Sequence, residues 1–344
     1  VEGILADFKF RFYWTDEKGN IEGMWGKTGS IRDDLLVLHK TKIPIPSIVE
    51  AENRGIILVM RIIGEDDLLY DLTIRSNKAE KIKKELGKIR SAAWAENYRR
   101  ELKEKGEADA FRKETCPSCQ ATLNLSGFPV SPQVYCSFCN AIITFEEDAF
   151  DEKTVARADK DFGICDECQM FAKPRRFTIF YFYFLVYVFG YHSRPTWRCP
   201  PCMRKDAWKM FFGNLIFILG VPVAVVQLFR SYGGTSIGGK YAGLDGANLR
   251  ARKGKLEEAI EAYRQILQRH PTAAGVKYNI GLTFCTQERF EEATQMFEYA
   301  LKDCSNYQPA AEFLAECYEH LGETEKLDEL KRIWIEEIAD SDEE

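Results

Sequence analysis

Cys116-Pro117-Ser118-Cys119, Cys136-Ser137-Phe138-Cys139, Cys165-Asp166-Glu167-Cys168 and Cys199-Pro200-Pro201-Cys202 hold eight of the eleven cysteines in this chain of 344 residues. Each is a Cys-x-x-Cys pair, and all four lie in the middle third. Such a pair grips one ion with two thiolates, and two pairs complete a tetrahedral four-sulfur shell. Four pairs therefore predict two structural zinc ions. In sequential order, one is held by Cys116, Cys119, Cys136 and Cys139. The other is held by Cys165, Cys168, Cys199 and Cys202. A cross-braced order, joining the first pair to the third and the second to the fourth, is the alternative. A redox dithiol needs a βαβ setting that this segment lacks. Cys285, Cys304 and Cys317 stand apart in the C-terminal helices and read as free buried thiols. Reduced thiols and zinc thiolates together point to a reducing compartment, so the cysteine pairs are expected to face the cytoplasm.

Sixteen residues, Gln120 to Tyr135, separate the first two pairs. They form two short alternating stretches around a Gly/Pro turn, and Ala141-Ile-Ile-Thr-Phe145 follows as another strand. Knuckle, hairpin, knuckle, strand resembles a zinc ribbon. Thirty residues separate Cys168 from Cys199, and they contain the uncharged run Phe177–Tyr191. As a helix that run would reach roughly 22 Å, short of the ~30 Å hydrocarbon core. Crossing a bilayer would also put the last two cysteine pairs on opposite sides. The aromatic and β-branched content predicts a long apolar hairpin grown from a second ribbon, placed against lipid.

Phe211 to Phe229 is a further nineteen residues without a charge. As one helix it would span about 28 Å. From Gln169 to Lys240 there are ten Lys or Arg and one acid. Trp208, Lys209, Arg230 and Tyr232 sit at the ends of the run like interfacial anchors. Gly220-Val221-Pro222 should kink it, so a bent dip that returns to the same face is the second option. The order from Cys165 to Tyr232 resembles membrane-associated zinc-ribbon domains of bacterial proteins. That resemblance implies membrane attachment and carries no activity.

The C-terminal third repeats. At a shift of 34, Ala247, Gly281 and Ala315 coincide, as do Ala259, Ala293 and Leu327, and Tyr263 falls on Phe297. Gly254-Lys-Leu-Glu-Glu-Ala-Ile-Glu-Ala-Tyr263, ending at Pro271, and Glu291-Glu-Ala-Thr-Gln-Met-Phe-Glu-Tyr-Ala300 resemble the second helix of tetratricopeptide repeats. The resemblance implies about three repeats and a concave groove lined by first helices. Lys277, Tyr278, Asn279, Phe284, Glu312 and Glu316 are the expected partner-binding residues, exposed in that groove and clamping a peptide or protein. Residues 241–344 carry twelve Lys or Arg against twenty-two Asp or Glu. That balance disfavours nucleic acid and suits a basic partner.

In the N-terminal part, apolar residues alternate from Ile4 to Trp14. Strands are expected at Ile21–Lys27, Asp34–His39, Gly55–Ile63 and Leu68–Arg75, with a hairpin turn at Gly19-Asn20. Ser76 is expected to cap a long helix running toward Lys105. Strands closed by one helix resemble a pleckstrin-homology-like domain.

The expected architecture is multidomain α+β. A β-barrel-like domain with its helix (1–112) precedes a first zinc ribbon (113–164) and a second with the hairpin insert (165–208). Then come a membrane helix or re-entrant segment (209–232), a Gly-rich linker (233–240), an α-solenoid of repeats (241–339) and an acidic tail (340–344). The four histidines, His39, His192, His270 and His320, fall in different modules, and closed four-cysteine sites leave no position for substrate. No catalytic residue is assigned. The expected function is a membrane-attached scaffold or adaptor that recruits a protein through its repeats and meets lipid through 177–191 and 209–232. On which side of the membrane the repeats lie is left open. A zinc-ribbon protein associated with nucleic acid, or an enzyme without a local motif, is the alternative.

Overall fold

In the first strand, β1 (Phe8–Thr15), Phe10 and Phe12 are buried while Lys9 and Arg11 face solvent. This period-two alternation is what a sheet with one covered face requires. The structure is a computed structural model. It describes residues 8–15, 21–64, 66–147, 154–185, 188–215, 220–233 and 239–339. The residues expected as the Gly19-Asn20 turn, the start of the first strand and the acidic tail lie outside these, as does most of the Gly-rich linker. Two compact units are present, Val1–Ser126 and Gly127–Glu344.

In the first unit, β2 (Ile21–Arg32), β3 (Leu35–Leu38), β4 (Thr41–Pro44), β5 (Ile48–Arg54), β6 (Ile57–Ile63) and β7 (Leu69–Arg75) join β1 in one antiparallel sheet. Its order is β4-β3-β2-β1-β7-β6-β5. Helix α1 (Ala79–Glu104) packs Ala79, Ile82 and Leu86 onto a core that includes Phe12, Leu36, Leu38, Ile48 and Ile74. Sequence reading missed β4 and β5, the two end strands. One carries Pro44, tolerated only where a strand edge is free, and the other alternates with charges. Ser76 does not occupy the helix cap, which falls at Lys78. Its hydroxyl instead donates to Arg11 O at 2.7 Å and accepts from Lys78 N–H at 3.2 Å, tying helix to sheet. Strands β8 (Lys113–Thr115) and β9 (Thr122–Asn124) end this unit.

The second unit begins with β10 (Gln133–Tyr135), β11 (Ile142–Glu147) and β12 (Thr154–Ala158), followed by the short pair β13 (Gly163–Ile164) and β14 (Phe171–Ala172). A long hairpin follows, β15 (Arg175–Leu185) with β16 (Val188–Arg198), in unbroken register from Arg175↔Arg198 to Leu185↔Val188. Next come α2 (Pro200–Asn214) and α3 (Val221–Tyr232). The uncharged run 211–229 is thus not a single spanning helix. Among the described residues, no helix is long and apolar enough to cross a membrane. The cause is local. Pro222 lies in the first turn of α3, where its missing N–H costs nothing. Gly220 makes room for Asn214, since a Cβ there would sit 2.0 Å from Asn214 Oδ1. The two helices fold back together, and Trp208 Nε1 donates to Tyr232 Oη at 3.4 Å. Met203, Ala207, Met210 and Ala224 cover Phe177 at the base of the hairpin.

Helices α4 (Leu244–Arg252) and α5 (Leu256–Arg269), α6 (Ala274–Cys285) and α7 (Phe290–Asp303), and α8 (Gln308–Leu321) and α9 (Thr324–Ala339) form successive packed pairs. The second helices start at residues 256, 290 and 324, which keeps the 34-residue period. Small residues stand at the crossings as the pattern requires. Ala247, Ala259 and Ala293 are fully buried, and a Cβ on Gly281 would meet the Phe297 ring at 2.6 Å. Cys285 and Cys317 are not isolated from each other: α6 and α8 bring their sulfurs to 3.6 Å.

Candidate metal centres

Three of the four cysteine pairs sit on the same local device. Cys116 N–H donates to Ala121 O, Cys136 N–H to Ala141 O and Cys165 N–H to Met170 O, all at 2.9–3.0 Å. The residue after each second cysteine turns left-handed: Gln120 (φ 65°), Asn140 (φ 59°) and Gln169 (φ 56°). Glutamine and asparagine bear this at modest cost. Each knuckle is thus the turn of its own small hairpin, with Thr115↔Thr122, Tyr135↔Ile142 and Ile164↔Phe171 as flanking pairs. This corrects the expectation of one hairpin strung between the first two knuckles. The fourth pair differs. Cys199 is the N-cap of α2 and Cys202 lies in its first turn, where the helix dipole favours a thiolate.

The sulfurs gather in sequential order, Cys116, Cys119, Cys136 and Cys139 in one group and Cys165, Cys168, Cys199 and Cys202 in the other. Within each group the four atoms lie within 4.8 Å of one another. Either group could hold a metal ion. The Cys168 and Cys199 sulfurs are 3.8 Å apart. A tetrahedron with Zn–S of about 2.3 Å has an edge of roughly 3.8 Å, so this one edge has the length such a site needs.

A cation would also relieve the crowding of the second group's sulfurs. Hydrogen bonds from Cys168, Cys199 and Cys202 hold Cys165 well below the ordinary thiol range. Cys165 first, and Cys168 after it, pushes Cys199 and Cys202 far above it. Four thiols this close cannot all ionise by themselves, and a divalent ion removes the conflict. Two arginines stand by. Arg198 is buried, donates to Glu167 at 2.6 Å and pairs with Asp206. Burial would lower the Arg252 guanidinium, but the sulfurs of Cys202, Cys168, Cys199 and Cys165 outweigh it and raise it.

The third knuckle is seated in the helical repeats. Phe171 N–H donates to Asn279 Oδ1 at 2.7 Å, and Asn279 Nδ2 donates back to Phe171 O at 2.7 Å. Asn248 Nδ2 adds a second donor to Phe171 O at 2.9 Å, and Tyr263 Oη fixes Asn248 Oδ1 at 2.7 Å. Tyr278 Oη donates to Gln169 O at 2.9 Å. The Phe171 ring rests on α6 where Gly275 stands, since a Cβ there would meet it at 2.5 Å. The ring also meets Phe162 and Tyr241, with ring centres at 5.8 and 5.4 Å. Strand β10 is held in the same way. Asn306 accepts from Tyr135 N–H and donates to Tyr135 O, both at 2.8 Å.

The expected partner-binding residues therefore separate. Tyr278 and Asn279 are fully buried and Phe284 nearly so, which overturns their expected exposure. Lys277 is paired with Asp303. Glu312 and Glu316 on α8 remain exposed. Asn248, Asn306 and Phe171 were missed. A signal for the buried groove was present: Ala274–Cys285 carries one charge in twelve residues, and a helix apolar all round is covered on every side. The side chain of His192 lies outside the described residues.

No family model matches the chain, and no curated protein matches it. Among solved structures, one of MamA aligns at a TM-score of 0.28 and 13% identity, over 41% of this chain and 80% of that one. A human IFIT1 dimer with PPP-AAAA aligns at 0.27 and 20% identity, over 39% of this chain and 31% of that one. Scores this low say nothing of function, and the repeat assignment rests on the helix pairs and their period.

Proposed function

We propose that this chain is a non-catalytic protein-interaction scaffold braced by two structural zinc ions. The observation that carries the reading is the seat of Phe171 on Asn248 and Asn279. The face on which such repeats take an extended ligand is filled by the chain's own metal knuckle. The second ribbon and the repeats then act as one braced body, and a protein partner meets what is left in solvent. That remainder includes Glu312 and Glu316 on a strongly acidic helical stack, which suits a basic segment. Zinc supplies the brace, because a small ribbon takes much of its folding free energy from its ion.

The test is hydrogen exchange on the intact chain before and after zinc is chelated. Removing zinc should raise exchange in α4 and α6 as well as in the ribbons. Repeats that keep full protection while the ribbons open would overturn the brace. Partner capture should fall when Glu312 and Glu316 are both changed to Lys.

A further inference from the structure

The pair α2–α3 leaves a large apolar face uncovered. On α2 and at its C-cap, Trp208, Phe212 and Leu215 are 41%, 61% and 48% exposed. They stand at i, i+4 and i+7, one stripe of a helix. On α3, Val226, Phe229 and Tyr232 are 56%, 75% and 54% exposed, spaced at i, i+3 and i+6. The Trp208–Tyr232 hydrogen bond joins the two stripes, and Trp208 stacks on Phe212 with ring centres 5.7 Å apart. A contiguous apolar face of this kind on a protein surface marks an interaction site.

Charge selects the occupant. Lys205, Lys209 and Arg230 on these helices are exposed, and Arg204 lies 5.5 Å over the Tyr232 ring. The one acid on either helix, Asp206, is buried against Arg198. The face is thus apolar at its centre and cationic at its rim. Trp and Tyr sit together at one end, where an amphipathic ring suits the headgroup level. Neither helix can span: the 12 residues of α3 make roughly 18 Å against a core of ~30 Å.

We infer that α2–α3 is an in-plane docking element for an anionic lipid surface, with the two stripes entering the headgroup boundary and the rim cations meeting lipid phosphates and carboxylates. This inference stands apart from the scaffold reading, since it uses no repeat residue and no metal ligand.

The experiment is flotation of the intact zinc-loaded chain with vesicles of phosphatidylcholine alone or mixed equally with phosphatidylserine. The chain should float with the mixed vesicles and not with phosphatidylcholine alone. Phe212→Ser with Phe229→Ser should weaken that partition by roughly tenfold or more. Lys205→Glu with Lys209→Glu should weaken it as well, as should added salt. Both pairs are surface changes, so thermal unfolding alongside should match the parent chain. No preference for the mixed vesicles, or full binding by the Phe pair variant, would overturn the inference. So would a dimer, seen by sedimentation and abolished by the same Phe changes, in a chain that ignores vesicles.

Discussion

Asn279→Ala is the most searching change to make. The amide holds Phe171 through both its oxygen and its nitrogen and also donates to Asn248 Oδ1 at 2.9 Å. After truncation, Phe171 O keeps Asn248 as donor and Asn248 keeps Tyr263. Phe171 N–H loses the acceptor that Asn279 supplied. An orphaned buried donor costs about 1–3 kcal/mol, and the cavity left by the amide adds roughly 1 kcal/mol. Alanine's better helix propensity returns about 0.5 kcal/mol. The net loss is roughly 1.5–3.5 kcal/mol, which in a unit of this size lowers Tm by about 3–14 °C. Urea unfolding followed by circular dichroism measures it, with Glu312→Lys as the exposed control. A solvated groove position would change stability by no more than about 0.5 kcal/mol. An Asn279→Ala chain that falls within that margin would refute the seat of the knuckle in the repeats.

Other outcomes follow from the same geometry. Elemental analysis of protein never exposed to chelator should give two zinc ions per chain, and Cys202→Ser should remove one. Gly275→Ala would be stabilising by about 1 kcal/mol in an open helix. Here its Cβ meets the Phe171 ring at 2.5 Å, so thermal melting should show a net loss of about 1–3 kcal/mol. Burial raises Asp245 to about 6 despite the nearby cations Arg175 and Arg204. The folded chain then holds this proton more tightly than the unfolded one. Its contribution is full below the unfolded value of 3.8 and is lost as pH rises through about 6. Asp245→Asn should therefore stabilise the chain at pH 7 but not at pH 3, by on the order of 1 kcal/mol after solvent screening. Unfolding curves at both pH values check the sign.

Cysteine pairs were legible because the spacing within each pair is local, and the helix period because each repeat is a local unit. The knuckle hairpins were half legible. Their turns are set by hydrogen bonds five residues apart, yet the Gly/Pro stretch between Cys119 and Cys136 looked like the better turn. β4 and β5 escaped notice because an edge strand needs neither a pure apolar face nor every N–H. The uncharged run 211–229 misled because hydropathy does not register that Asn214 and Gly220 interlock and turn the chain back. The occupant of the groove was invisible to any local pattern: Phe171 and Asn279 are 108 residues apart. A repeat register places Asn279 on the inner face, and no register can say that the same chain already fills it.

The asparagines have one more consequence. Asn306 grips Tyr135 on β10, Asn279 grips Phe171 on β14, and Asn214 spans Phe180 O and Phe182 N–H on β15. β10 and β14 border their sheets, and β15 belongs to a sheet of only two strands. A free strand border invites another chain to add itself and propagate. One carboxamide, offering a donor and an acceptor at the spacing of a neighbouring strand, satisfies such a border in place of a further strand. Small sheets that would otherwise be sticky are thereby sealed one residue at a time. Loss of any of these amides should show first as aggregation on concentration, before any loss of helix.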